Sequence, residues 1–254
     1  MKVIAHRGFS EQRPENTFTS FDYALSSGVN SIELDVRLTA DQVLVVIHDD
    51  TVDRTTDGSG RVKDFTFNEL KSLDAGSWFK NEAGYKDQII PSFEEVLLRY
   101  HNKAHIYIEI KSEEITIAPK LKDLFQETGW PDQNQVELGA VPGLSILSFN
   151  LDQLITTKEI LPELEYGYLR FEANEKDMET CIDRGFSGFF PYIGSLNSDM
   201  VGKAHQRGLY VGAWGAQTDS DIEKAFHMGV QGLTVDNPVR ALSLVKLLQS
   251  QVEN

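Results

Sequence analysis

The chain has 254 residues, 41% hydrophobic and 25% charged, with no low-complexity tract, a composition that supports a packed core and excludes a disordered or fibrous protein. Its formal net charge of −15 repels nucleic acid and anionic lipid headgroups at long range, so no nucleic-acid partner is expected, although a metal and a few basic side chains can still favour a small anion inside a cleft. Cys181 is the only cysteine, which excludes an internal disulfide and a cysteine-built metal cage.

Met1-Lys2-Val3-Ile4-Ala5 leads directly to His6, leaving no room for a signal peptide, and no apolar run spans a bilayer. A cytoplasmic location without a transmembrane segment is the expectation; oligomeric state is not legible.

Short apolar runs alternate with amphipathic segments. Strands are predicted at Val3–His6, Ser31–Arg37, Val43–Ile47, His105–Ile110, Leu144–Ser148, Glu165–Leu169, Gly188–Phe190, Leu209–Ala213 and Gly232–Val235. Helices are predicted at Phe18–Ser27, Phe93–Tyr100, Ile115–Glu127, Leu151–Ile160, Lys176–Arg184, Asp199–Arg207, Asp219–His227 and Val239–Gln249. Ser27-Gly28, Arg184-Gly185, Arg207-Gly208 and Met228-Gly229 close helices where a left-handed residue is wanted. About eight such units in this length predict an α/β chain folded as a (β/α)8 TIM barrel. The polar, turn-rich stretch from Asp49 to about Pro91, with a short helix near Asn68–Ser72, breaks the rhythm. It reads as a small insertion after the second barrel strand, lying over the barrel mouth and packed through Trp78, Phe79 and Tyr85. Residues 1–254 are thus read as one domain with an inserted subsegment at about 49–91.

Charged residues recur at the ends of apolar runs, where burial costs several kcal/mol unless they are paired or metal-bound. Glu33 and Asp35 lie two apart on a strand, so both carboxylates face one way and suit a hard cation such as Mg²⁺, Ca²⁺ or Mn²⁺; a polar edge strand is the competing reading. Glu109 offers a third carboxylate, and Lys111 shares its strand face. They fit a metal site with a phosphate-neutralising lysine, or a simple surface pair. His6 and His48 each end a strand, and two imidazoles titrating near neutrality suit an acid–base pair. His101, His105, His205 and His227 show no such pattern and read as structural. Arg7, followed by Gly8, suits bidentate phosphate binding or an ion pair to Glu15; Asn16 or Thr17 is the predicted N-cap of the first helix.

His6-Arg7-Gly8, Pro14-Glu15-Asn16-Thr17, Glu33-Leu34-Asp35-Val36, Thr39/Asp41, His48-Asp49, Arg54-Thr55-Thr56 and Glu109-Ile110-Lys111 together resemble the glycerophosphodiester phosphodiesterases. Ser148-Phe149-Asn150, Trp214 and Thr234-Val235-Asp236-Asn237-Pro238 extend the likeness more loosely. The resemblance implies a barrel holding one divalent cation, Mg²⁺ or Ca²⁺ and in some cases Mn²⁺, on Glu33, Asp35 and Glu109. It implies His6 and His48 as general acid and base, and Arg7, Lys111 and Trp214 as substrate-binding residues. The implied reaction is hydrolysis of a small-molecule glycerophosphodiester to an alcohol and sn-glycerol 3-phosphate, within lipid and glycerol metabolism. Alternatives are a lysophospholipase D-type enzyme on intact lysolipids and a catalytically inactive ligand-binding homologue. One departure stands out: the family follows this tryptophan with Thr-Val-Asn, whereas Trp214 is followed by Gly215-Ala216-Gln217.

Overall fold

A computed structural model describes residues 1–79, 84–114, 116–130 and 138–252. The chain begins with β1 (Lys2–His6), α1 (Phe18–Ser26), β2 (Ser31–Leu38), β3 (Leu44–Val46), α2 (Phe67–Lys71) and α3 (Phe93–Tyr100). It continues through β4 (His105–Ile110), α4 (Ile117–Thr128), β5 (Gly143–Ser148), α5 (Leu151–Ile160), β6 (Glu165–Arg170) and α6 (Glu175–Asp183). It ends with β7 (Gly188–Pro191), α7 (Ser198–Gln206), β8 (Tyr210–Ala216), α8 (Asp219–Met228), β9 (Gly232–Val235) and α9 (Pro238–Val252). The predicted start of α4 at Ile115 lies outside the described residues.

All strands but β3 pair in parallel, and the β1–β2 pairing closes the sheet into a (β/α)8 barrel with a small insertion after its second strand. The run Val43–Ile47 is strand-like as expected, but β3 is no barrel stave. It folds back antiparallel on the end of β2, pairing Val36 with Val46 and Leu38 with Leu44. Its apolar residues serve a separate small core in the insertion, where Val45, Ile47, Val52, Val62, Leu70, Ala75 and Ile90 pack together. Trp78, Phe79 and Tyr85 pack edge-on at centroid distances of 5.5 and 5.7 Å.

Two further apolar layers fix the barrel. Between strands and helices, Ile32, Leu34 and Val36 of β2 join the large outer core. Inside the barrel, Ile4, Tyr107, Leu138, Leu147, Leu169 and Phe190 close the lower end. Phe190 takes the central place because β6 and β8 present glycine to it. A Cβ at Gly167 would lie 2.5 Å from its ring, and one at Gly212 only 2.1 Å. With the lower interior filled, the open end at the strand C-termini remains for chemistry.

Helix starts follow local capping. Thr17 caps α1 through a reciprocal box with Ser20, and Thr66–Glu69, Ser92–Glu95 and Thr218–Asp221 do the same for α2, α3 and α8. Of the two predicted caps for α1, Thr17 is the one used; Asn16 has a φ of 56° and a different task. Among the described residues, no helix is long and apolar enough to cross a membrane.

Candidate active site

Strand register assembles a carboxylate cluster at the barrel mouth. Period-two alternation turns Glu33 and Asp35 inward while their apolar neighbours face the helices. Parallel pairing sets His6 opposite Glu33 and Asp35 opposite Glu109. Glu33, Asp35 and Glu109 each offer an oxygen within 4.8 Å of the others, at relative exposures of 3%, 0% and 8%. Burial and the Asp35 charge push the Glu33 and Glu109 carboxyls up, above the usual carboxylate range. Burial acts on Asp35 too, but Arg7, Lys111, His48 and a hydrogen bond from Asn16 together hold it low. Glu33 Oε1 and Asp35 Oδ1 are buried without a hydrogen-bond partner, an arrangement that costs free energy unless something else engages them. An all-oxygen set with orphaned carboxyl oxygens fits a hard divalent cation.

The basic residues interleave with these acids. Arg7 adopts a φ of 54° and Gly8 one of 84°, and a Cβ at Gly8 would fall 2.4 Å from Ser20 Oγ. This tight turn lets the Arg7 N–H donate to Glu33 Oε2 at 3.1 Å. The guanidinium pairs with Glu15 at 2.8 Å, as one sequence reading proposed, and lies 3.2 Å from Asp35 Oδ2 while still lining the cavity. Lys111 Nζ is 2.5 Å from Glu109 Oε1 and 3.6 Å from Asp35 Oδ1. Asn16 Nδ2 donates to Asp35 Oδ2 at 2.9 Å, so the residue before the cap orients a site carboxylate.

His6 and His48 flank the cluster, and each ring contacts an aspartate through Nδ1. For His6 the partner is Asp236 at 2.5 Å, itself bonded by Ser10 Oγ at 3.0 Å. For His48 it is Asp49 at 2.6 Å. Asp236 and Asp49 occur in the sequence motifs, but sequence reasoning gave neither a role. The Asp236 partnership spans 230 residues and becomes visible only once β9 pairs with β1. Burial works against a charged His6 ring, yet Asp236 and Glu33 raise it above 6.5. At His48 burial prevails over the pull of Asp35 and the pKa falls below 6.5. Of the histidines read as structural, His105 is buried and bonded to Ala140 O and Ser145 Oγ, away from the site.

His6, Arg7, Glu33, His48, Glu109 and Lys111 line a cavity of about 510 Å³ whose far wall is apolar. Phe149 stacks on Phe171 at 4.8 Å, and Trp214 meets both rings edge-on at 5.4 and 5.3 Å. Phe171 is 67% exposed and forms an apolar lip. Trp214 is fixed by Nε1 donating to Arg170 O at 3.2 Å and by Tyr192 at 5.2 Å. The Gly215 departure has a steric reason here. Its φ is 82°, and a Cβ would lie 2.6 Å from the Tyr192 ring that supports Trp214.

A closed (β/α)8 barrel with two aspartate-held histidines, basic side chains and a buried carboxylate cluster that could hold a metal ion at its C-terminal mouth has the arrangement of a barrel enzyme's active site. The glycerophosphoryl diester phosphodiesterase family model matches residues 6–240, and the chain belongs to that family. A glycerophosphodiester phosphodiesterase of Caldanaerobacter subterraneus is 34% identical, with 96% of this chain and 97% of that protein covered. One from Bacillus subtilis is 33% identical over 93% of this chain and 83% of its own length. Among solved structures, an Oleispira antarctica phosphodiesterase in complex with the product sn-glycerol-3-phosphate superposes with a TM-score of 0.88. It is 29% identical, with 97% of each chain covered.

Proposed function

We propose that this protein hydrolyses glycerophosphodiesters to an alcohol and sn-glycerol 3-phosphate. One observation carries the reading: two histidines, each oriented by an aspartate, stand beside a buried carboxylate cluster with orphaned oxygens. Glu33, Asp35 and Glu109 would hold one divalent cation, Mg²⁺, Ca²⁺ or Mn²⁺, which when bound supplies Lewis-acid stabilisation of charge on the phosphoryl oxygens. Arg7 and Lys111 add positive charge and hydrogen-bond donors at the same wall of the cavity. Trp214 and Phe149 pack against the carbon skeleton of the substrate.

With Nδ1 of each ring engaged by its aspartate, Nε2 is the atom left for proton transfer. The unlike surroundings divide the roles. His48, lowered by burial, accepts the proton of the attacking hydroxyl, whether of water or the glycerol 2-hydroxyl. His6, raised by Asp236 and Glu33 against its burial, is the protonated partner that donates to the departing alcohol. Catalysis belongs to one domain, the insertion at 49–91 being part of it rather than a separate unit. ³¹P NMR of a digest of glycerophosphocholine tests the bond cleaved. Glycerol 3-phosphate is the expected phosphorus product, and phosphocholine, or unreacted diester, would refute the reading.

The exposed Phe171 lip supports a second reading, in which an acylated lysolipid also enters. Release of choline from lysophosphatidylcholine at a rate comparable to glycerophosphocholine would establish it, and selective turnover of the deacylated compound would remove it.

A further inference from the structure

The Arg54-Thr55-Thr56 motif sits in the insertion, and nothing in the chemistry above uses it. Its arginine nevertheless reaches the barrel mouth. Nε donates to Asp49 Oδ2 at 2.6 Å and Nη2 to Asp49 Oδ1 at 3.2 Å. On its other side Nη1 donates to Glu15 Oε2 at 2.7 Å and Nη2 to Glu15 Oε1 at 2.8 Å. One guanidinium therefore clamps two carboxylates, each in bidentate fashion, a geometry that a lysine cannot reproduce. Both carboxylates lead onward into the site. Asp49 Oδ1 contacts His48 Nδ1 at 2.6 Å, and Glu15 Oε1 accepts from Arg7 Nη1 at 2.8 Å.

We propose that Arg54 is a positioning residue: it fixes the Asp49 carboxylate so that His48 is held as its Nδ1–H tautomer with Nε2 facing the substrate. The proposal rests on the reading of His48 as a proton-transfer group. Asp49 directly follows His48 in the chain, beyond the end of β3, so without a second anchor its partly exposed carboxylate is free to turn toward solvent and the ring loses its partner. Arg54 supplies that anchor by joining Asp49 to Glu15, whose side chain is only 11% exposed.

Docking of the insertion alone does not call for this residue. Tyr85 Oη donates to Gln12 O at 3.3 Å, Arg13 lies over the Tyr85 ring at 5.3 Å, Thr19 Oγ1 donates to Gln88 Oε1, and the insertion has its own apolar core. A purely structural tether at an exposed ion pair would add little to that set. The position of the arginine against the carboxylate that holds His48 is what distinguishes it.

The test compares R54M, R54K, D49N and the R54M/D49N double variant in the full-length, metal-supplemented protein. It reads kcat, KM and thermal midpoint, with the His48 tautomer followed by long-range ¹H–¹⁵N NMR. R54M is expected to lower kcat roughly tenfold or more with KM changed by less than about twofold, the scale of lost orienting partners. The double variant should be no slower than D49N, because Arg54 acts through Asp49. The His48 ring should pass from one tautomer to a mixture. R54K keeps the charge but not the fork, so it is expected to be slowed with the same mixed tautomer, and it decides the matter where R54M does not fold. Wild-type kcat with a single tautomer in these variants, even at a lowered thermal midpoint, overturns the proposal, as do losses that multiply in the double variant. A wild-type protein that leaves glycerophosphocholine intact would instead refute the functional reading, and the tautomer spectra would still decide the role of Arg54.

Discussion

The proposed roles of the two histidines rest on what each Nδ1 touches. Asp236 and Asp49 each engage Nδ1 of their ring. Burial lowers both pKa values, but at His6 Asp236 and Glu33 outweigh it, whereas at His48 Arg7 and Lys111 add to it, so the two fall on opposite sides of 6.5. The pH dependence follows from that separation. The base must be neutral, so activity falls as pH drops through the lowered value of His48. The acid must be protonated, so activity falls as pH rises through the raised value of His6. A bell with limbs on either side of 6.5 is therefore expected. His6→Ala and His48→Ala should each cut turnover of glycerophosphocholine roughly 10²-fold or more. A glycerophosphodiester of p-nitrophenol separates the two, because that leaving group departs without a proton. It should restore His6→Ala and not His48→Ala, and the opposite pattern would exchange the assigned roles.

At the scale of elements, the strand-end carboxylates were legible because strand periodicity alone places Glu33 and Asp35 on one face, and Glu109 closes an apolar run as they do. The helix–glycine–strand rhythm likewise pointed to the closed barrel that is found. What escaped depends on contacts that periodicity does not encode. An apolar run such as Val43–Ile47 looks the same as a barrel stave or as an antiparallel return, and only the small core of the insertion distinguishes them. Asn16 looked like a helix cap, since nothing in the sequence signals its positive φ or its reach to Asp35. Asp236 needed the barrel to close before its proximity to His6 existed. The glycines around Phe190 were equally silent, yet they set the barrel interior. Gly212→Val should destabilise the protein by roughly 1–3 kcal/mol or more through overpacking against that ring. Denaturant unfolding checks this, and an unchanged midpoint would mean the interior is less tightly filled than the contact at Gly212 implies.

Over the whole molecule, a net charge of −15 surrounds a pocket that must admit a phosphodiester. The far field opposes an anionic substrate; Arg7 and Lys111 line the pocket, and the cation proposed for the carboxylate cluster would join them in reversing the field locally. Raising ionic strength should therefore increase kcat/KM for glycerophosphoglycerol, which carries net negative charge, and leave zwitterionic glycerophosphocholine nearly unaffected. Equal salt responses would show that long-range repulsion plays no part in capture. The central claim, that buried carboxylates organise a cation-dependent acid–base site, is tested most directly by metal removal. Protein stripped by chelation and dialysed should release no glycerol 3-phosphate from glycerophosphocholine, and stepwise addition of Mg²⁺, Ca²⁺ or Mn²⁺ should restore release to saturation. Full turnover by the exhaustively stripped protein would contradict the account.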